Sequence, residues 1–377
     1  MHYIFQIAIG LISPLLNVFF LVHNNKSIRF VALLALISTA LVFFKPLDGF
    51  DLLVHYKNFG DYQIGQYELF ERYIGIDVLI YIISTIGLEK NTLVLIASSM
   101  LLYSTYRFVE QKVQYERMVI TFFIIMASYP LVLLVSGVRF SLALSFFLLA
   151  DIYFSKGRYF RCVLFAATAV MFHYAASVLV FIYLISKLIP VERLNGKFLF
   201  CIFVLIIPIA LYQKLLIDLV SFILNFVGFE HYVGLDLTRY ISGEWGALRS
   251  ASYNVNGLLG YFLPKIALCI TGFVYLLTCR HKNSFIISLF FIVILFFGFG
   301  DIGDRYSIYL IPYIVTSLIS SASRIEVKNL PISILPILSF AIINSFKEIW
   351  LYGEVYLNML EQVILLHSPI FMLVGGV

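Results

Sequence analysis

The 33 residues from Met118 to Ala150 carry a single charged side chain, Arg139. A soluble domain places charge on about a quarter of its residues, whereas this chain is 12% charged and 62% hydrophobic. That much apolar surface exceeds what one water-excluding core can hide, so lipid and neighbouring helices must cover it. A soluble globular protein is excluded. So are a disordered chain, which would be polar, and a nucleic-acid binder, which would need a basic face. The chain reads as an all-α, polytopic integral membrane protein forming a single transmembrane domain over residues 1–377.

Crossing a hydrocarbon core of about 30 Å takes roughly 20 helical residues. Apolar runs near that length fall at 3–22, 28–44, 92–109, 118–135, 139–154, 198–220, 258–279, 285–300, 306–323 and 330–346. Residues 71–88 are amphipathic, with Asp77 inside, and are expected to form an interfacial or re-entrant helix. Residues 158–188 are too long for one span and short for two, and predict a tight helical hairpin with His173 near its apex. The expected total is about 12 spans, within a range of about 11 to 14, with 356–375 either a further span or an interfacial helix. Met1–Val22 is apolar without a positive n-region and is read as a retained first span with an external N-terminus.

Charge placement supports this topology. The segments it puts in the cytoplasm hold 15 Lys and Arg against 4 acids, and the external ones hold 9 bases and 15 acids. Basic residues gather on the cytoplasmic side of membrane proteins, as this arrangement requires. Two external segments, 45–91 and 228–257, are large enough to form a substrate-facing cap. The short cytoplasmic loops leave no room for a nucleotide-binding domain, and Gly298-Phe299-Gly300 lacks the rest of a phosphate-binding loop. The four cysteines, Cys162, Cys201, Cys269 and Cys279, form no metal or redox motif. Neither a metal nor another cofactor is called for.

Charge inside lipid is expensive, so the few polar groups that remain need reasons. Arg139 follows the turn-forming Ser136-Gly137-Val138 and opens an apolar helix. Beside the free N–H groups of a helix start, a guanidinium suits a phosphate-like anion; the alternative is an arginine snorkelling to the interface. His173 is the only strongly polar side chain between Cys162 and Ser186, and could move a proton near neutral pH or simply pack. Asp301, Asp304, Arg305, Tyr306 and Tyr309 cluster between two uncharged apolar runs. They are read as a lined site or as a self-neutralising turn. The segment 45–91 interleaves acids and tyrosines, among them Asp51, His55 and Tyr56, and 228–257 adds Arg239 and Arg249. Carboxylates that hydrogen-bond hydroxyls and rings that stack on sugar faces suit a carbohydrate.

Four stretches then fall into a familiar order: Asp51 to Tyr56; Gly137-Val138-Arg139-Phe140-Ser141-Leu142-Ala143; Phe172-His173-Tyr174-Ala175-Ala176; and Gly303-Asp304-Arg305-Tyr306. This order resembles the EpsG-like branch of Wzy-type bacterial polysaccharide repeat-unit polymerases, over roughly residues 45–320. The family pattern has Gln where this chain has Phe140 and Ser where it has Ala175, while Arg139, Ala143, His173 and Ala176 match.

The resemblance implies a membrane glycosyltransferase, metal-independent and without a cofactor. It would join oligosaccharide repeat units carried on undecaprenyl diphosphate into O-antigen, capsule or exopolysaccharide. The work would be done at the outer face of a bacterial inner membrane, with a chain-length-regulating membrane protein as a partner. It implies Arg139 and Arg305 on the diphosphate, Arg239 or Arg249 assisting, His173 as base or acceptor-orienting group, and Asp51 with Tyr56 shaping the acceptor site. An O-antigen ligase, a lipid-linked oligosaccharide flippase or transporter, and a non-catalytic envelope scaffold remain the alternatives.

Overall fold

The computed structural model describes residues 2–46, 48, 50–66, 73–188, 194–211, 255–279, 282–297, 300–322, 333–365 and 367–374. Every regular element among them is helical. In chain order these are α1 (His2–Ile12), α2 (Val18–Leu21), α3 (Lys26–Ala40), α4 (Asp51–Gln63), α5 (Ile74–Ile86) and α6 (Thr92–Lys112). Next come α7 (Tyr115–Ser128), α8 (Leu131–Ser136), α9 (Val138–Ser155), α10 (Tyr159–Phe172), α11 (Ala175–Leu188) and α12 (Gly196–Leu211). The last five are α13 (Val255–Thr278), α14 (Ser284–Leu295), α15 (Gly300–Ser321), α16 (Leu335–Ile364) and α17 (Pro369–Val374).

Among the described residues, three helical segments are long and apolar enough to cross a bilayer: Lys26–Phe43, Thr92–Lys112 and Val138–Ser155. Shorter apolar helices include α1, α5, α10, α11 and α14. The all-helical membrane reading holds at that level, and local chemistry explains why several runs that look continuous in sequence are broken. Run 3–22 stops at Ser13, which is extended (φ −156°, ψ 124°) ahead of a short 3-10 turn at Pro14–Asn17. Run 118–135 breaks at Tyr129 (φ −80°, ψ 140°), because the ring of Pro130 pushes the preceding residue out of the helical region.

Residues 158–188 do form two helices, α10 and α11, of 14 residues each. The tight antiparallel pair, however, is α9 with α10, which corrects the expected hairpin within 158–188. The reason lies in the connections. Gly157 takes φ +68° and lets the Gly157 and Arg158 N–H groups bond back to Phe154 and Tyr153, a helix-ending reversal that favours glycine. His173, at the α10 end, is instead extended (φ −151°, ψ 114°). Residues 74–86 form the regular helix α5, which ends at Gly87 in the left-handed region (φ 78°).

The chain divides into two bodies. The first holds Met1–Gln111, Pro130–Val180 and Glu348–Val377, and the second Lys112–Tyr129 and Phe181–Lys347. In the first body, α10 lies along α9 through stacked rings: Phe146 on Phe165 at 5.9 Å, Phe146 on Phe172 at 5.6 Å and Tyr153 on Phe165 at 5.2 Å. Such pairs add to the burial itself. Near the start of α8, the buried Glu348 carboxylate accepts the Val132 N–H at 3.1 Å.

The second body is built on rings as well. Phe203 and Phe273 pack on Phe290, and Tyr183 and Tyr313 pack on Phe285 at 5.1 and 4.9 Å. Arg117 donates to the Ile319 and Ala322 carbonyls at the end of α15, where unfilled carbonyls favour a cation.

Candidate functional site

The site in the first body is built around the start of α9. Gly137 ends α8, and its N–H bonds to Leu133 O at 2.7 Å. An added Cβ there would stand 2.8 Å from that same oxygen, so the close approach requires glycine. The Ser141 N–H bonds to Gly137 O at 2.9 Å and its hydroxyl to Leu134 O, fixing the first turn of α9 against the end of α8. Arg139 therefore emerges from a rigid corner.

Its guanidinium is largely enclosed, at 16% side-chain exposure, and Nη2 donates to Asp51 Oδ2 at 3.1 Å. Asp51 is the first residue of α4 and is half exposed, at 49%. The guanidinium carbon lies 3.9 Å from the Tyr73 ring centroid, a cation–π arrangement that suits arginine. Tyr73 in turn stacks on Tyr174 at 5.2 Å. The Arg139 Nε is buried and has no hydrogen-bond partner among the described residues.

His173 sits at the junction of α10 and α11, with Phe140 edge-on to its ring at 5.6 Å. Its Nδ1 accepts the Ala175 N–H at 3.2 Å. With Nδ1 used as an acceptor, the neutral ring carries its proton on Nε2 and can offer it as a donor. His55, one turn along α4 from Asp51, is 4% exposed, and neither of its ring nitrogens has a hydrogen-bond partner among the described residues. Burial and then the charge of Arg139 lower its pKa to about 4, against an opposing effect of Asp51. The imidazole is neutral at physiological pH.

The structure thus gathers Asp51, Arg139 and His173 with His55, named in the sequence only within an acid- and tyrosine-rich segment, and with Tyr73 and Tyr174, to which the sequence assigned no role. Tyr56 faces elsewhere. Its hydroxyl donates to Asn91 Oδ1 at 2.7 Å, and Lys90 lies over its ring at 5.2 Å. Burial pushes its hydroxyl pKa up.

In the second body, Asp304, Arg305, Tyr306 and Tyr309 stand on the first turns of α15. Asp304 pairs with Lys265 of α13 at 3.1 Å, and Lys265 also reaches Phe297 O at 3.4 Å. Arg305 is half-buried, while Tyr306 and Tyr309 are buried at 8% and 0% exposure. Nothing in the sequence linked Lys265 to Asp304, since the pair is made by packing between helices. Asp301 lies in α15, and Arg239 and Arg249 fall outside the described residues.

The geometry alone describes an enclosed, ring-backed cation held by a weak partner at the end of an apolar helix. Comparison with known proteins supplies the rest. A model of the EpsG family matches residues 48–356, which takes in both clusters. The chain belongs to the EpsG family. This is the family of Wzy-type polysaccharide polymerases and EpsG glycosyltransferases. No curated protein and no solved structure matches the chain. As a member of the EpsG family, the protein is a membrane protein of polysaccharide biosynthesis and polymerase-like in kind.

Proposed function

We propose that this EpsG-family protein polymerises oligosaccharide repeat units carried on undecaprenyl diphosphate, at the outer face of a bacterial inner membrane. The observation that carries this reading is Arg139: enclosed, backed by Tyr73, and paired with a half-exposed carboxylate. A pair with one partner this exposed contributes no more than about 1 kcal/mol. A lipid diphosphate offers two or more charges and several acceptor oxygens, and can displace Asp51 through stronger, bidentate hydrogen bonds. Displaced, Asp51 remains at the rim, where it can accept a hydrogen bond from a sugar hydroxyl.

In the reaction, the acceptor hydroxyl attacks the donor's anomeric carbon and the lipid diphosphate leaves. Arg139 stabilises the charge that develops on that leaving group without a metal. His173, with its Nε2 proton, donates to a diphosphate or sugar oxygen. Tyr56 braces α4 through its hydrogen bond to Asn91. About 12 membrane crossings keep the lipid tails of donor and acceptor in the bilayer while their headgroups meet. A chain-length-regulating membrane protein is the proposed partner.

The test is binding of undecaprenyl diphosphate to purified protein in nanodiscs. Arg139→Ala is expected to weaken it at least about tenfold, the scale of one lost charge-assisted pair, and Arg139→Lys is expected to recover only part of the loss. Equal affinity for wild type and Arg139→Ala would remove the basis of the proposal.

A further inference from the structure

Among the described residues, the buried imidazole of His55 has no hydrogen-bond partner. Histidines in protein interiors use their ring nitrogens, because a polar group taken from water without a partner costs free energy. Here both nitrogens are unpartnered and the residue is 4% exposed. It is set four residues after Asp51, on the same face of α4. The charges acting on it are those of Arg139 and Asp51, the pair assigned to the diphosphate and the rim. An unsatisfied polar atom retained beside such a pair points to a partner that arrives with the substrate.

Resting on the polymerase reading above, we propose that His55 accepts the proton of the attacking sugar hydroxyl. The acceptor oxygen forms its bond to the anomeric carbon, and the bond from that carbon to the diphosphate oxygen breaks. Its electron pair leaves with the lipid diphosphate, and the hydroxyl proton passes to a His55 ring nitrogen. Release of that proton to water or to the departing diphosphate resets the ring.

The geometry divides the two histidines by role. His173 has its Nδ1 committed to the Ala175 N–H, which leaves it a donor, whereas His55 keeps a free lone pair. Burial and the charge of Arg139 disfavour the charged form of His55. A diphosphate on Arg139 offsets that cation and raises the basicity of His55 when a donor is in place. Proton acceptance is thereby coupled to donor binding.

The experiment measures polymer formation by purified protein from its lipid-linked repeat unit, together with undecaprenyl diphosphate binding. His55→Phe preserves shape and burial, and His55→Gln preserves hydrogen bonding without basicity. Both are expected to slow turnover by about 100-fold or more, the scale of a lost general base, with diphosphate affinity within about twofold of wild type. Added imidazole is expected to restore part of the activity of His55→Ala. His173→Gln, which keeps a donor, is expected to lose much less.

Turnover of His55→Gln near the wild-type rate, or no imidazole rescue of His55→Ala, would overturn the assignment while leaving the polymerase reading intact. A wild-type protein that forms no polymer would overturn that reading instead. Unfolding temperatures of each variant separate loss of function from loss of fold.

Discussion

At the residue scale, the chain's low charge content makes individual polar groups informative. Arg139 and His173 could be read from sequence because each is isolated in a long apolar run. The burial of His55 and the contact of Tyr73 with Arg139 were not legible for the opposite reason: each sits in a segment already rich in polar and aromatic side chains, where only packing separates one from the next. The contrast between Tyr56 and Tyr73 makes the point. One is tied to Asn91 and the other backs Arg139, and no local pattern separates them. The buried state of His55 has a measurable consequence. Its pKa is lowered from 6.5 to about 4 on folding, so between those values the unfolded chain binds a proton that the folded one does not. The stability this contributes is present above about pH 6.5 and is lost as the pH falls toward 4, by up to about 3 kcal/mol. The unfolding temperature of the wild type is therefore expected to fall more steeply than that of His55→Phe between pH 6.5 and 4.5. Parallel slopes would show that the ring is solvated.

At the element scale, the helices were legible wherever apolar runs were unbroken, as in α6 and α9. Their ends were less so. The breaks at Ser13 and Tyr129 follow from the prolines next to them, and proline chemistry in the sequence could have marked both. The break at His173 carries no such signal; what distinguishes it is that α10 spends its apolar face on α9 through Phe165 and Phe172. The third partner in this packing is α5. A Cβ added at Gly75 would stand 2.9 Å from the Phe172 ring and 3.0 Å from the Met171 carbonyl. A Gly75→Val substitution must push α5 off α10, and Tyr73, two residues upstream, moves with it. The expected outcome is a destabilisation of about 1–3 kcal/mol, as for other overpacked cores, with weaker diphosphate binding, read by thermal unfolding and by lipid titration. An unfolding midpoint and affinity equal to wild type would show that α5 does not position Tyr73.

At the scale of the whole molecule, the 12% of residues that are charged do two jobs. Most of the bases gather in segments expected on the cytoplasmic side, and most of the acids in those expected outside. A small remainder is enclosed among apolar helices, and that remainder holds Arg139 in the first body and Lys265 with Asp304 in the second. Membership of the EpsG family over residues 48–356 shows the class of protein, and under the proposed function Arg139 holds a lipid-soluble, anionic sugar donor where bilayer meets water. Hydropathy could show the class of protein but not its partition into two bodies, because that partition depends on which helices share an aromatic seam. The central claim is that the protein extends a glycan by consuming a lipid diphosphate held at Arg139. The most direct measurement supplies purified wild-type and Arg139→Ala protein with the lipid-linked repeat unit and resolves the products by size. The wild type is expected to give a ladder of multiple repeat units with free undecaprenyl diphosphate, and a folded Arg139→Ala variant is expected to leave the substrate unreacted. A single-unit product from the wild type, or an equal ladder from Arg139→Ala, would contradict that claim.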